Sequence, residues 1–177
     1  MSAVLAAAES LPSPWTSWTF DPVQILGIVV LTVLYVQRAR TLAKRGRPVE
    51  RWRQWSYGTG LVLLVVAVIS PVHELGERQF LFMHMIQHVI LGDLAPLAMV
   101  AGLTGPLLRP ILAMRYVEKL RVLAHPFVAL PLWAINLYLW HLPFAYEGAL
   151  HSSYVHALQH LLFFTFGAAM WAAVLEP

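Results

Sequence analysis

Cysteine is absent from this chain of 177 residues. That excludes disulfides, thiolate sites for zinc, copper or iron–sulfur clusters, and covalent haem attachment through Cys. Any metal must be held by His, Met, carboxylate or amide groups. Charge is also scarce. Lys, Arg, Asp and Glu make up 12% of the residues, where a soluble domain carries about 25%. No Gly-rich phosphate loop, nucleophile elbow or zinc-protease helix is present. No nucleophile stands beside a base, and no open metal site has a positioned general acid, so an enzyme is not expected. There is no internal repeat of 20–50 residues and no low-complexity tract. The first ten residues are small and apolar, lack a basic segment and are too short to span, so no cleaved signal peptide is expected.

What is abundant is apolar surface. Hydrophobic residues are 59% of the chain, and the mean hydropathy is +0.64. A water-soluble fold of this composition would expose large apolar patches and aggregate, whereas a lipid bilayer accommodates them. The fold class expected is all-α: a single polytopic transmembrane helical bundle over residues 1–177. A span needs roughly 20 mostly apolar residues, and about five such stretches can be drawn. They run from about Trp18 to Gln37, Trp55 to Val72, Gln79 to Leu103, His125 to Phe144 and Tyr154 to Leu175. Pro96 and Pro131 fall inside the third and fourth, where each leaves a carbonyl unbonded and bends its helix. Trp15 and Trp18 suit the headgroup level.

The formal charge is +3, and its placement matters more than its size. Arg38, Arg40, Lys44, Arg45, Arg47, Arg51 and Arg53 lie in or beside the first connecting loop. Arg109, Arg115, Lys119 and Arg121 lie between spans three and four. Only Arg78 falls on the other side. The positive-inside rule makes the basic side cytoplasmic, with the N-terminus outside and the C-terminus inside. Topology and anionic lipid account for these loops better than nucleic acid does, so no nucleic-acid partner is expected. The segment Gly105 to Ala124 is partly apolar and basic, and suits an amphipathic helix lying on the inner leaflet.

The sequence contains eight histidines. With this orientation, all but His125 fall in the outer loops or outer half of the membrane. His73 and His151 lie in outer loops, and His141 ends span four. His84/His88 and His156/His160 are spaced i, i+4, which puts each pair on one helix face. Spans three and five run in the same direction, so the pairs share a depth. Intramembrane ionisable groups are costly and commonly functional. Imidazole suits copper, zinc, iron and nickel. Met83 and Met85 flank His84 and offer thioethers that favour Cu(I); neighbours about 100° apart on a helix cannot both join it, and core filling explains them equally. Gln87 and Gln159 each precede the second histidine of a pair and either orient imidazoles or bond between helices. Asp93 lies deep in span three and either carries protons or pairs with Asn136 or a cytoplasmic-side Arg. Glu74, Glu77 and Glu147 are outer-loop acids.

The stretch H-M-I-Q-H-V-I-L-G-D-L-A-P-L, His84 to Leu97, resembles the signature span of the CtaG-type cytochrome c oxidase assembly proteins. So do H-P-F-V-A-L-P-L-W-A-I-N-L-Y-L-W-H-L-P, His125 to Pro143, H-A-L-Q-H, His156 to His160, and the early F-D-P, Phe20 to Pro22. The resemblance implies a bacterial multi-pass plasma-membrane protein that helps form active haem–copper oxidase and partners its subunits, with a role in delivering copper. By matching position it implies His84, His88, His141, His156 and His160 as metal ligands. It also implies about two further spans beyond the position of Pro177, and an acidic residue where this chain has Gln159. Two other readings stay open from the residues. One is a b-type haem protein, with histidines such as His88 and His160 on separate helices ligating iron from both faces. The other is a metal-free assembly scaffold in which the histidines only join helices.

Overall fold

The computed structural model describes residues 18–72, 76, 80–113 and 121–175. Among them every regular element is helical and none is a strand. Helix α1, Pro22–Lys44, starts where the F-D-P stretch dictates. The Asp21 carboxylate accepts the N–H groups of Val23 at 2.7 Å and Gln24 at 3.3 Å. Pro22 takes the first helical position, where no N–H is needed. The helix continues past Gln37, the expected end of the span, through Arg38, Arg40 and Lys44. These residues are good helix formers, and their charge suits a helix C-terminus. It closes with a left-handed Gly46, φ +73°. The Gly46 and Arg47 N–H groups donate to the carbonyls of Ala43 and Leu42, each at 3.0 Å. This cap reverses the chain and turns Arg45 and Arg47 back beside Leu42.

Helix α2, Arg51–Val68, is polar in its first half and apolar in its second. The polar half ties it to the neighbouring helices. The Tyr57 hydroxyl donates to Leu31 O at 3.1 Å, and its ring stacks on Tyr35 with centroids 3.8 Å apart. Arg53 donates to the carbonyls of Ala101 and Leu103 at 3.1 and 2.7 Å.

The third span is continuous but not uniform. It comprises α3, Leu81–Val89, a π-helical turn, Ile90–Leu94, and α4, Ala95–Ala101. Pro96 has no N–H for the carbonyl of Gly92, so the ladder shifts register, and Ala95 N–H donates to Ile90 O. Such one-turn π bulges are frequent at functional sites. The amphipathic reading of Gly105 to Ala124 meets a short helix, α5, Gly105–Leu112, and a 3-10 turn, Arg121–Ala124. Residues 114–120 lie outside the described set, as do Trp15, His73, Glu74, Glu77 and Arg78.

The fourth expected span requires correction. Helix α6, Pro126–Trp140, passes through Pro131 unbroken, but the chain then bends by 69° into α7, Pro143–His151. Leu142 precedes Pro143 and is held extended at φ −72°, ψ 141°, because the proline ring disfavours a helical residue before it. Helix α8, Ser153–Leu175, matches the fifth expected span to within a residue.

Among the described residues, three stretches are long and apolar enough to cross a membrane: α1, α3 to α4, and α8. A fourth is added if α6 and α7 count as one span. Helix α2 is not among them, since Arg51, Arg53 and Gln54 occupy its first half. The outward apolar surface is large. On α1 alone it includes Val23, Leu26, Val29, Val30 and Val33, which suits a lipid solvent. Inside, Tyr57, Leu64, Ala67, Leu91, Ala95 and Met99 pack one core between α2 and the third span. Trp140, Ala145, Ala149 and Phe163 pack a second between α6, α7 and α8. Histidine pairs sit at one end of the bundle, and the described basic loop residues at the other. Within the third span His84 and His88 stand 17 and 13 residues before Ala101, which separates them from the basic end by roughly 20–26 Å at about 1.5 Å per residue.

Candidate metal centre

Helix α8 packs closely on the π turn and on α4, and beyond that contact the i, i+4 histidines of α3 and α8 face one another. His84, His88, His156 and His160 are all buried. Ring centroids are 4.1 Å apart for His84 and His88, and 4.2 Å for His156 and His160. Across the helices, His84 stands 5.9 Å from His156 and His88 stands 6.0 Å from His160. The four imidazoles therefore form a rough rectangle between two helices. The tertiary fold brings together the two pairs that sequence spacing placed at equal depth.

The fifth candidate joins from α6. His141 is exposed, and its ring lies 6.3 Å from that of His88. Its Nδ1 donates to Leu137 O at 2.7 Å. A carbonyl only accepts, so Nδ1 carries the hydrogen, and in the neutral ring Nε2 keeps a lone pair for a ligand. His151 makes the same bond to Glu147 O at the end of α7, away from the rectangle.

The histidine cluster is bounded on the basic side. The Phe163 ring lies 4.6 Å from His88 and is buried in the second core. Below it, α8 meets the π turn with almost no gap. A Cβ on Gly167 would overlap Gly92 O and come within 2.9 Å of Gly92 C and 3.1 Å of Pro96 Cγ. This carbonyl is the one that Pro96 cannot bond. The bulge thus lets α8 approach closely, and that approach holds the two histidine pairs in register.

The surrounding polar groups divide. Gln87 is fully buried, and its amide donates to Ala67 O on α2 at 2.9 Å, so it bonds between helices. Gln159 is 1% exposed, and its Oε1 has no hydrogen-bond partner among the described residues. Among the described residues Asp93 bonds neither to Asn136 nor to an arginine, the two pairings weighed for it beside a proton-carrying role. It sits on the π turn facing α8 and accepts Trp171 Nε1–H at 2.7 Å. Asn136 instead accepts Trp140 Nε1–H within α6 at 3.2 Å. Met83 and Met85 are half-buried beside His84.

The donor chemistry fits a borderline or soft cation. An imidazole binding an ion at about 2.0 Å places its centroid about 3 Å away. Two rings sharing one ion therefore stand about 4.5–6.4 Å apart. Both cross-helix separations fall in that window, while the two within-helix separations are shorter. Accordingly, no three His, Asp or Glu groups among the described residues already form a ligating set. Side-chain rotation would be needed, at roughly 1 kcal/mol for each strained rotamer. Both ring nitrogens of buried His88 lack a hydrogen-bond partner among the described residues. Leaving such a group unsatisfied costs about 1–3 kcal/mol, which a bound cation would offset.

Sequence reasoning missed Phe163, Trp171 and the Gly92–Gly167 contact. The Gly92–Pro96 spacing was the available signal, because a proline strips the carbonyl four residues before it of its donor.

Comparison with family models gives a match over residues 33–177 to one described as cytochrome c oxidase caa3 assembly factor (Caa3_CtaG). The match includes all five candidate histidines and begins after the Phe20–Pro22 stretch. Comparison with curated proteins and with solved structures gives no match.

Proposed function

The chain belongs to the cytochrome c oxidase caa3 assembly factor family, and from that premise we propose that it handles copper for the oxidase at the outer face of a bacterial plasma membrane. The observation that carries this reading is the buried histidine rectangle between α3 and α8, with His88 unpartnered among the described residues. Copper is cargo here, and the role is non-catalytic. Exposed His141 receives the ion through Nε2. It passes to His88, 6.3 Å away between ring centroids, and is held across α3 and α8 by His84, His156 and His160. Phe163 and the Gly92–Gly167 contact block passage toward the basic end, so the ion leaves as it entered, toward a haem–copper oxidase subunit. The segregation of charge supports the orientation, with the basic end cytoplasmic and the histidine end outside.

The haem alternative is weaker. A bis-histidine haem needs an open slot as wide as the macrocycle between its ligands. The His84 and Phe163 rings lie 4.1 and 4.6 Å from His88 and crowd that slot. The scaffold reading draws on the Gln87 bond to Ala67, which joins helices without any metal.

The test is metal and haem content of the detergent-purified chain, beside the double variant His84→Ala/His88→Ala. Copper near one equivalent that disappears in a helical, membrane-inserted variant is the expected result. Copper retained by the folded variant would overturn the copper site, and a Soret band would favour haem. Oxidase maturation that persists without any of the five histidines would leave a scaffold.

A further inference from the structure

The end of the bundle opposite the histidines carries a second feature, independent of copper. Arg38, Arg45, Arg47 and Arg109 line one pocket of about 440 Å³, together with Gly105 and Pro106. One helix cap and one neighbouring helix assemble it. The left-handed Gly46 cap turns Arg45 and Arg47 back over the end of α1, and α5 brings Arg109 alongside. Arg38 is anchored by donating to Pro106 O at 3.1 Å and Leu107 O at 3.4 Å. These are neutral carbonyls, so its charge is not compensated. The only ion pair among the described residues is Arg53 with Glu50 at 3.6 Å. Glu50 is further engaged by Trp52 Nε1 at 2.6 Å. Four guanidinium groups therefore converge with no carboxylate among the described residues to neutralise them.

Arg38 also stands in the wall of a second cavity, an apolar groove of about 240 Å³. Leu34, Tyr35, Leu103, Leu108 and Phe164 line it. It runs from the arginines along α1 and α4 toward the middle of the bundle. A phosphate-bearing head with an attached alkyl chain matches this sequence of environments; a soluble anion would use only the first. We propose that this end of the bundle binds one anionic phospholipid, its phosphate held by Arg38, Arg45, Arg47 and Arg109 and one acyl chain lying in the Leu34–Leu103–Leu108 groove. Basic pockets between membrane helices on the cytoplasmic side recognise anionic headgroups in this way, and arginine forks suit phosphate oxygens.

The experiment uses the full chain, delipidated in neutral detergent, and fluorescently labelled dioleoyl phosphatidylglycerol or dioleoyl phosphatidylcholine. The expected result is saturable binding of the anionic lipid, weak binding of the zwitterionic one, and loss of affinity in high salt. Arg45→Gln/Arg47→Gln should weaken binding about thirtyfold, since each basic residue near an anionic surface contributes about fivefold. These two side chains make no hydrogen bond among the described residues, so the variant should fold; circular dichroism and a copper-binding assay check that. Leu103→Trp should fill the groove and lower affinity for the dioleoyl lipid but not for a dihexanoyl one. Equal binding of both lipids, or no loss in the folded arginine variant, would overturn the proposal. Complete displacement by inorganic phosphate at millimolar concentration, with no effect of Leu103→Trp, would reassign the pocket to a soluble anion.

Discussion

Replacing Gly167 by Ala should loosen the histidine rectangle without touching it. The added Cβ would overlap Gly92 O and lie 2.9 Å from Gly92 C and 3.1 Å from Pro96 Cγ. These are backbone and ring atoms, which cannot rotate aside. Ordinary carbon contacts are about 3.5 Å, so α8 must retreat from the π turn by on the order of 1 Å. Overpacking of this kind costs about 1–3 kcal/mol. The same retreat widens the His84–His156 and His88–His160 separations, now 5.9 and 6.0 Å. Those lie near the upper end of the window of about 4.5–6.4 Å for a shared ion. Indirect support of a metal site is typically worth about 10–100-fold in affinity, and a loss of that order is expected. The assay is copper affinity by competition with a chelator, with thermal unfolding in detergent. Gly27→Ala is the control, since nothing lies within 4 Å of its added Cβ. It should leave copper affinity unchanged and slightly favour the helix. A Gly167→Ala protein with unchanged affinity and unchanged unfolding temperature would refute both the tight contact and its link to the site.

Three further outcomes are expected. His141→Ala should slow copper uptake in stopped-flow measurements while leaving the final stoichiometry unchanged; a lost equivalent would make His141 a permanent ligand. Trp171→Phe removes the donor to Asp93 Oδ1 and should destabilise the chain by about 1–3 kcal/mol in denaturant unfolding. Adding Asp93→Leu to it should recover much of that loss, and no recovery would mean that Asp93 has another role. Gln87→Leu deletes the bond to Ala67 O and should cost about 0.6–1.7 kcal/mol, as interhelical bonds in membranes do, with copper bound normally. Loss of copper instead would return Gln87 to the metal site.

The helices and their approximate ends were legible because membrane burial writes itself as long apolar runs. The Leu81–Ala101 and Ser153–Leu175 stretches lie within a few residues of their expected limits. The i, i+4 spacing likewise determined that His84 faces with His88 and His156 with His160, since helix geometry alone sets that. The missed bend at Leu142 has a local cause, Pro143, masked by the apolar residues on both sides. The partner of Asp93 was not legible. Its candidates were an amide and a cation, while the observed donor, the Trp171 indole, lies 78 residues away along the chain.

By itself, then, the sequence determined an all-helical membrane-type chain, its charge segregation and two histidine-bearing helix faces. These follow from periodicity and local sterics, which need no neighbour. Only the tertiary structure decided that the two faces meet, at which separation, and what seals them. Those depend on the close approach of α8 to the π turn at Gly92. It also decided that four arginines from three separate segments share one pocket with a groove behind it. Such convergence is a property of packing in three dimensions, which no spacing along the chain encodes.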